Sequence, residues 1–137
     1  TRPASIKPEN HLHLAMNDIA EAQAGLTLPG EQHVRRLLDF ARAWDRSTPL
    51  VVNCYAGISR STASAYIIAA ALAPLRDEEE LAQALRWLSP SATPNPRLIG
   101  VADNILGRDG RMVAAIKAIG RGADAFEGTP FIMEIDA

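Results

Sequence analysis

The sequence predicts an α/β fold, with a small, mostly parallel central sheet flanked by helices on both faces. Two short runs and their order predict it. Leu50-Val51-Val52 is a continuous apolar run of β-type residues, the pattern of a strand buried on both sides. Residues 11–16 alternate polar and apolar, the pattern of a second short strand. Helical patterns stand between these runs and after the second, the order of strand–helix–strand units.

Residues 1–10 are polar, contain Pro3 and Pro8, and read as an irregular lead-in to the strand at 11–16. Residues 17–30 read as a long loop, punctuated by Gly25, Pro29 and Gly30, with a brief helical turn expected over 18–24. Residues 31–46 carry Val34, Leu37, Leu38, Ala41 and Trp44 at helical spacing, and Ser47-Thr48-Pro49 ends that helix. The buried strand at 50–53 runs into a tight loop over 54–60. Residues 61–73 are small and apolar almost throughout, which predicts a helix buried on most sides. Pro74 stops it. Residues 77–88 predict a helix with Asp77 and Glu80 in capping-box positions and Leu81, Leu85 and Leu88 on one face. Trp44 and Trp87 are expected in the core. After a Ser/Pro/Asn turn region at 89–96 come two further helices, 97–106 and 111–119, broken at 107–110. Residues 131–135 alternate and predict a terminal strand.

No internal repeat or low-complexity linker divides the chain, so residues 1–137 read as one domain. The chain opens almost directly on the alternating run and without an initiator methionine. A natural N-terminal strand is therefore expected to be missing.

Apolar residues make up 47% and charged residues 22% of the 137 positions, ordinary values for a soluble globular domain. These values exclude a disordered tail, a collagen-like fibre and a disulfide miniprotein. The net charge of −2 gives no general attraction to nucleic acid or to an anionic membrane, so neither is an expected partner. The single cysteine, Cys54, excludes an intrachain disulfide and a multi-cysteine zinc site and fits a reducing, cytoplasmic setting. No apolar run approaches the roughly 20 residues that cross a bilayer.

The chemistry is concentrated in Asn53-Cys54-Tyr55-Ala56-Gly57-Ile58-Ser59-Arg60-Ser61. A strand runs into a cysteine, and after five intervening residues come an arginine, a hydroxyl residue and an apolar helix. Successive N–H groups of a tight loop, here Tyr55 to Ser59, can converge on one anion. The following helix aims its N-terminal dipole at the same point. Arg60 adds a two-pronged charged hydrogen bond, so a tetrahedral, multiply charged anion such as phosphate is the expected ligand. The same field acts on Cys54. A thiol at a helix N-terminus beside arginine titrates between roughly 3.5 and 7.5 rather than near ~8.5. Cys54 is then a thiolate held under phosphorus, poised for nucleophilic catalysis. Ser61 can donate to the sulfur when it leaves, and Gly57 lets the loop turn without a Cβ clash.

Cys54, Gly57, Arg60 and Ser61 resemble the signature of the cysteine-based protein tyrosine phosphatases. The order from Asp18 to Asn95 is similar to that of small bacterial dual-specificity-like members, and the resemblance spans about residues 11–108. It implies hydrolysis of a phosphate monoester through a phospho-cysteine intermediate, on a phosphorylated protein or a small phosphate ester. It implies no cofactor and no metal, and inhibition by phosphate and vanadate. Asn53 departs from the pattern, standing where the family has histidine. Asparagine can still support the loop by hydrogen bonds but cannot carry charge.

A proton donor for the leaving oxygen is also required. Asp18, after the strand at 11–16 and 36 residues before Cys54, fits the order of the family's general acid, with Glu21 as the fallback. Pro94-Asn95 resembles the family segment whose asparagine braces the phosphate loop. His11 and His13 share a strand face but lack further ligands for a metal. Arg108, Arg111, Lys117 and Arg121 read as a solvated basic face.

Three competing readings differ in kind. Asn53 motivates a catalytically impaired, phosphate-binding pseudophosphatase. A low-molecular-weight phosphatase or arsenate reductase carries its cysteine near the N-terminus, not mid-chain. A rhodanese-like sulfur transferase lacks the Arg-Ser helix start.

Overall fold

The helix that is apolar on nearly every side stands at the centre of the molecule. The computed structural model describes residues 4–135. Five helices follow one another: α1 (Glu31–Arg42), α2 (Arg60–Leu72), α3 (Glu78–Leu88), α4 (Pro96–Leu106) and α5 (Arg111–Ile119). A single 3-10 turn, Pro8–Asn10, precedes them. α2 packs against α1, α3 and α4, while α5 lies against α3 and α4. Tyr66 and Ile67 of α2 are fully buried among Val34, Leu38, Leu81, Leu85 and Leu98. Full burial of one such aliphatic side chain contributes about 1.5–3 kcal/mol.

Four of the five helix starts have a local cause. Gly30 precedes α1, and its N–H donates to His33 Nδ1 at 2.9 Å. Asp77 caps α3 by accepting from Glu79 N at 2.9 Å. Asn95 caps α4 by accepting from Leu98 N at 3.0 Å. Asp103 reaches from α4 to the start of α5, accepting from Gly110 N and Met112 N at 2.8 Å each. Those donors have no partner inside their own helix, and the carboxylate answers their partial positive charge.

The expected central sheet is absent: among the described residues there is no strand and no sheet. The segments expected as strands are extended but unpaired. Leu14, Met16, Leu50, Val52, Phe131, Met133 and Ile135 pack against the core, but Val51 is 77% exposed, so the 50–52 run is not buried on both sides as expected, and Ile132 is exposed too. Carbonyls of the first and last of these segments, however, are taken by side chains. His33 Nε2 lies 3.0 Å from Ala15 O, Arg60 Nη1 donates to Met16 O at 3.1 Å, and Arg76 Nη1 donates to Glu134 O at 2.8 Å. Alternation sets which residues face inward; a ladder needs a second row of backbone groups in register. Here the partners are side chains of α1, of α2 and of the link before α3, and among the described residues every regular element is helical.

Other expectations shift locally. Residues 18–24 form bends and no helical turn. α1 stops at Arg42. Beyond it Trp44 Nε1 donates to Thr48 O at 2.8 Å, and Asp45 Oδ1 accepts from the N and Oγ of Ser47. Trp87 is 87% exposed rather than in the core. Arg108, expected in solvent, is buried: it pairs with Glu78 at 2.8 Å and donates to Ala70 O at 2.7 Å. Burial pushes the Glu78 carboxyl up, but hydrogen bonds from Arg108 and Arg111 outweigh it and hold the group below its ordinary value. No helix of the described residues is long and apolar enough to cross a membrane.

Candidate active site

Residues 54–59 join the extended run at 50–53 to the start of α2. Gly57 turns this loop at φ +71°, a region that side chains with a Cβ seldom adopt. The loop carbonyls point to neighbouring elements. Ala56 O accepts from Gly128 N at 2.7 Å, Ile58 O from Thr93 N at 2.9 Å, and Ser59 O from Asn95 N at 3.2 Å. The Thr62 hydroxyl also donates to the carbonyls of Ile58 and Ser59. With these carbonyls held outward, N–H groups are free to face inward.

Cys54, the first residue of the loop, is half-buried. Its thiol donates to Ser61 Oγ at 3.3 Å; once the thiol ionises, the hydroxyl becomes the donor. The backbone N–H groups of Ser61, Gly57 and Ile58 also favour the ionised sulfur. Burial pushes the thiol pKa up, but the Ser61 hydroxyl and these three N–H groups outweigh it. The net shift is downward from the ordinary value. Nothing in this balance draws on Asn53. That residue is exposed, and no side-chain hydrogen bond ties it to the loop.

Arg60 opens α2. Nη1 is spent on the Met16 carbonyl, while the buried Nε has no hydrogen-bond partner. An unmatched buried N–H is costly, and an anion would satisfy it.

Asp18 is brought to the same loop. Its Oδ1 accepts from Ser59 Oγ at 2.7 Å and from Asn95 Nδ2 at 2.8 Å. Asn95, only 2% exposed, also donates from Nδ2 to Ile19 O at 3.1 Å. One asparagine thus ties together the Asp18 segment, the end of the loop and the start of α4. Glu21 is exposed and has no such tie.

The expected residues therefore divide. Cys54 meets Ser61, and Asp18, Ser59 and Asn95 meet one another, while the Arg60 side chain reaches only the Met16 carbonyl. Asn53 stands outside, and the Tyr55 side chain is 96% exposed. Ala56 enters through its carbonyl, which faces Gly128. Thr62, Thr93 and Gly128 also hold the loop and were not legible as site residues. Thr62 adjoins Ser61, but no spacing in the sequence marks Thr93 or Gly128. His11 and His13 are exposed, and no group of three or more metal-ligating side chains assembles among the described residues.

Comparison with known protein families, with characterised proteins and with solved structures finds no match to this chain.

Proposed function

We propose that the protein is a cysteine-dependent phosphate monoester hydrolase that resembles the protein tyrosine phosphatases in its reacting loop. One observation carries the reading: the Cys54 sulfur meets the Ser61 hydroxyl at 3.3 Å, and that hydroxyl with the backbone N–H groups of the loop lowers the thiol pKa. The reading rests on this loop and not on the fold, because the family's sheet is absent among the described residues.

The chemistry runs in two steps. The Cys54 thiolate attacks phosphorus; the S–P bond forms as the ester P–O bond breaks, and protonated Asp18 supplies the proton to the leaving oxygen. Asp18, now ionised, takes a proton from water as the water oxygen attacks phosphorus. The S–P bond then breaks, and Ser61 donates to the departing sulfur. Arg60 and the loop N–H groups hold the phosphoryl oxygens throughout, where charge builds.

The deciding experiment combines turnover and alkylation. Hydrolysis of p-nitrophenyl phosphate should proceed in EDTA. Iodoacetate should inactivate the protein at neutral pH, and inorganic phosphate should protect it. Because the thiolate is the reactive form, alkylation speeds up as pH rises, with a midpoint below the ~8.5 of a free cysteine. Absence of both turnover and protection would sink the proposal.

The position of Asn53 favours a second reading, phosphate binding without turnover. The outcome that identifies it is phosphate protection with no hydrolysis. The features that lower the thiol pKa are independent of Asn53, which supports the active enzyme.

Asp18→Asn should lower kcat by about 10²–10⁴-fold for alkyl phosphates, the usual share of general acid–base catalysis. KM should change little, because the proton moves only in the transition state. For p-nitrophenyl phosphate, whose leaving group needs little protonation, the loss should be smaller. Equal losses for both substrates would make Asp18 a brace for Ser59 and Asn95 instead.

A further inference from the structure

After α5 the chain turns back across the bundle and reaches the reacting loop. Ala123 N donates to Pro90 O at 2.9 Å, Gly122 N to Thr93 Oγ1 at 3.1 Å, and Gly128 N to Ala56 O at 2.7 Å. Farther along, Arg76 holds Glu134 O. The approach at Gly128 is backbone on backbone. A methyl carbon built at position 128 would lie 2.4 Å from the Gly57 carbonyl oxygen, inside any permitted contact.

This contact bears on the direction of two peptide groups. A trans peptide is planar, with C=O and N–H pointing to opposite sides. The Ala56 carbonyl is fixed outward by Gly128 N, so the N–H of the same peptide, on Gly57, points away from the strap. The Gly57 carbonyl is turned against Gly128 as well, so the Ile58 N–H also points away. These are two of the three backbone N–H groups that favour the ionised Cys54 sulfur.

We propose that Gly128 is a positioning residue of the anion cradle: its N–H and bare Cα hold the Ala56 and Gly57 carbonyls outward and so turn the Gly57 and Ile58 N–H groups onto Cys54. The proposal rests on the reading of that loop as a phosphate site, and its readout needs no turnover. Position 128 accepts only glycine for this task, since any side chain meets the Gly57 carbonyl before the hydrogen bond can close.

The test is the pH dependence of iodoacetate alkylation, with inorganic phosphate affinity and Tm measured alongside. Gly128→Ala should raise the apparent Cys54 pKa by about one unit. It should also weaken phosphate binding about tenfold, as expected for the loss of charge-assisted hydrogen bonds. A second variant, made by semisynthesis with glycolic acid in place of Gly128, removes the N–H without adding a side chain. It should move the thiol pKa in the same direction. Phe126→Ala, a change to a fully exposed side chain of the same strap, should leave the pKa in place. If the ester variant titrates like the wild type, the proposal is overturned, whether or not the alanine variant folds. A wild-type protein that neither hydrolyses nor binds phosphate would instead overturn the phosphatase reading, while the thiol titration still decides the role of Gly128.

Discussion

Cys54→Ser is expected to reduce phosphate ester turnover by about 10³-fold or more, the scale on which loss of a covalent nucleophile acts. A serine hydroxyl fits the same cradle, but the N–H groups that favour a thiolate cannot ionise it at neutral pH. Binding should survive. Gly57, Ile58 and Arg60 remain, and the neutral hydroxyl no longer repels a phosphate dianion, so inorganic phosphate should bind at least as tightly as before. Calorimetric titration with phosphate and steady-state hydrolysis of an aryl phosphate check the two halves separately. Retention of about a tenth of wild-type turnover would remove Cys54 as the nucleophile.

Arg60→Lys is expected to lower turnover by about 10²–10³-fold, the cost of losing a preorganised donor to developing negative charge. The charge is kept, but the planar fork is not. The guanidinium does two things at once: Nη1 holds the Met16 carbonyl, two residues from Asp18, while Nε remains for an anion. A lysine ammonium cannot span both directions. Vanadate inhibition should weaken together with turnover. A variant with wild-type kinetics and wild-type vanadate affinity would place Arg60 outside the site.

The helices were legible because helical burial repeats along the chain, and α1 to α5 fall where the apolar spacing puts them. The reacting loop was legible because its chemistry is local. Asn95 was singled out because Pro94-Asn95 resembles a family segment; in the structure it is buried and bonds to Asp18 and Ser59. The sheet was misread for a physical reason. Residues 11–16 and 131–135 carry the right alternation and 50–52 the right apolar run, but neither pattern names the donors that meet the carbonyls of the first and last segments. Those donors, His33, Arg60 and Arg76, are distant in sequence. Trp87 failed differently. It lies two positions after buried Leu85, about 200° around the helix, on the solvent side. Arg108 was misjudged because a basic residue does not announce its partner, and Glu78 lies far upstream.

The unpaired extended run has an energetic consequence for the site. α2 is held by its own helical hydrogen bonds and by core packing, so opening it costs much of the global stability. Residues 50–54 donate no backbone hydrogen bond among the described residues, so they belong to the low-stability end of the molecule. Cys54 and Arg60 thus lie on opposite sides of a seam between this run and α2. An oxyanion gripped at once by Arg60 and by the loop N–H groups staples that seam. It raises the free energy of local opening in proportion to the logarithm of its concentration above Kd, so ligand binding itself would complete the order of the segment that carries Cys54.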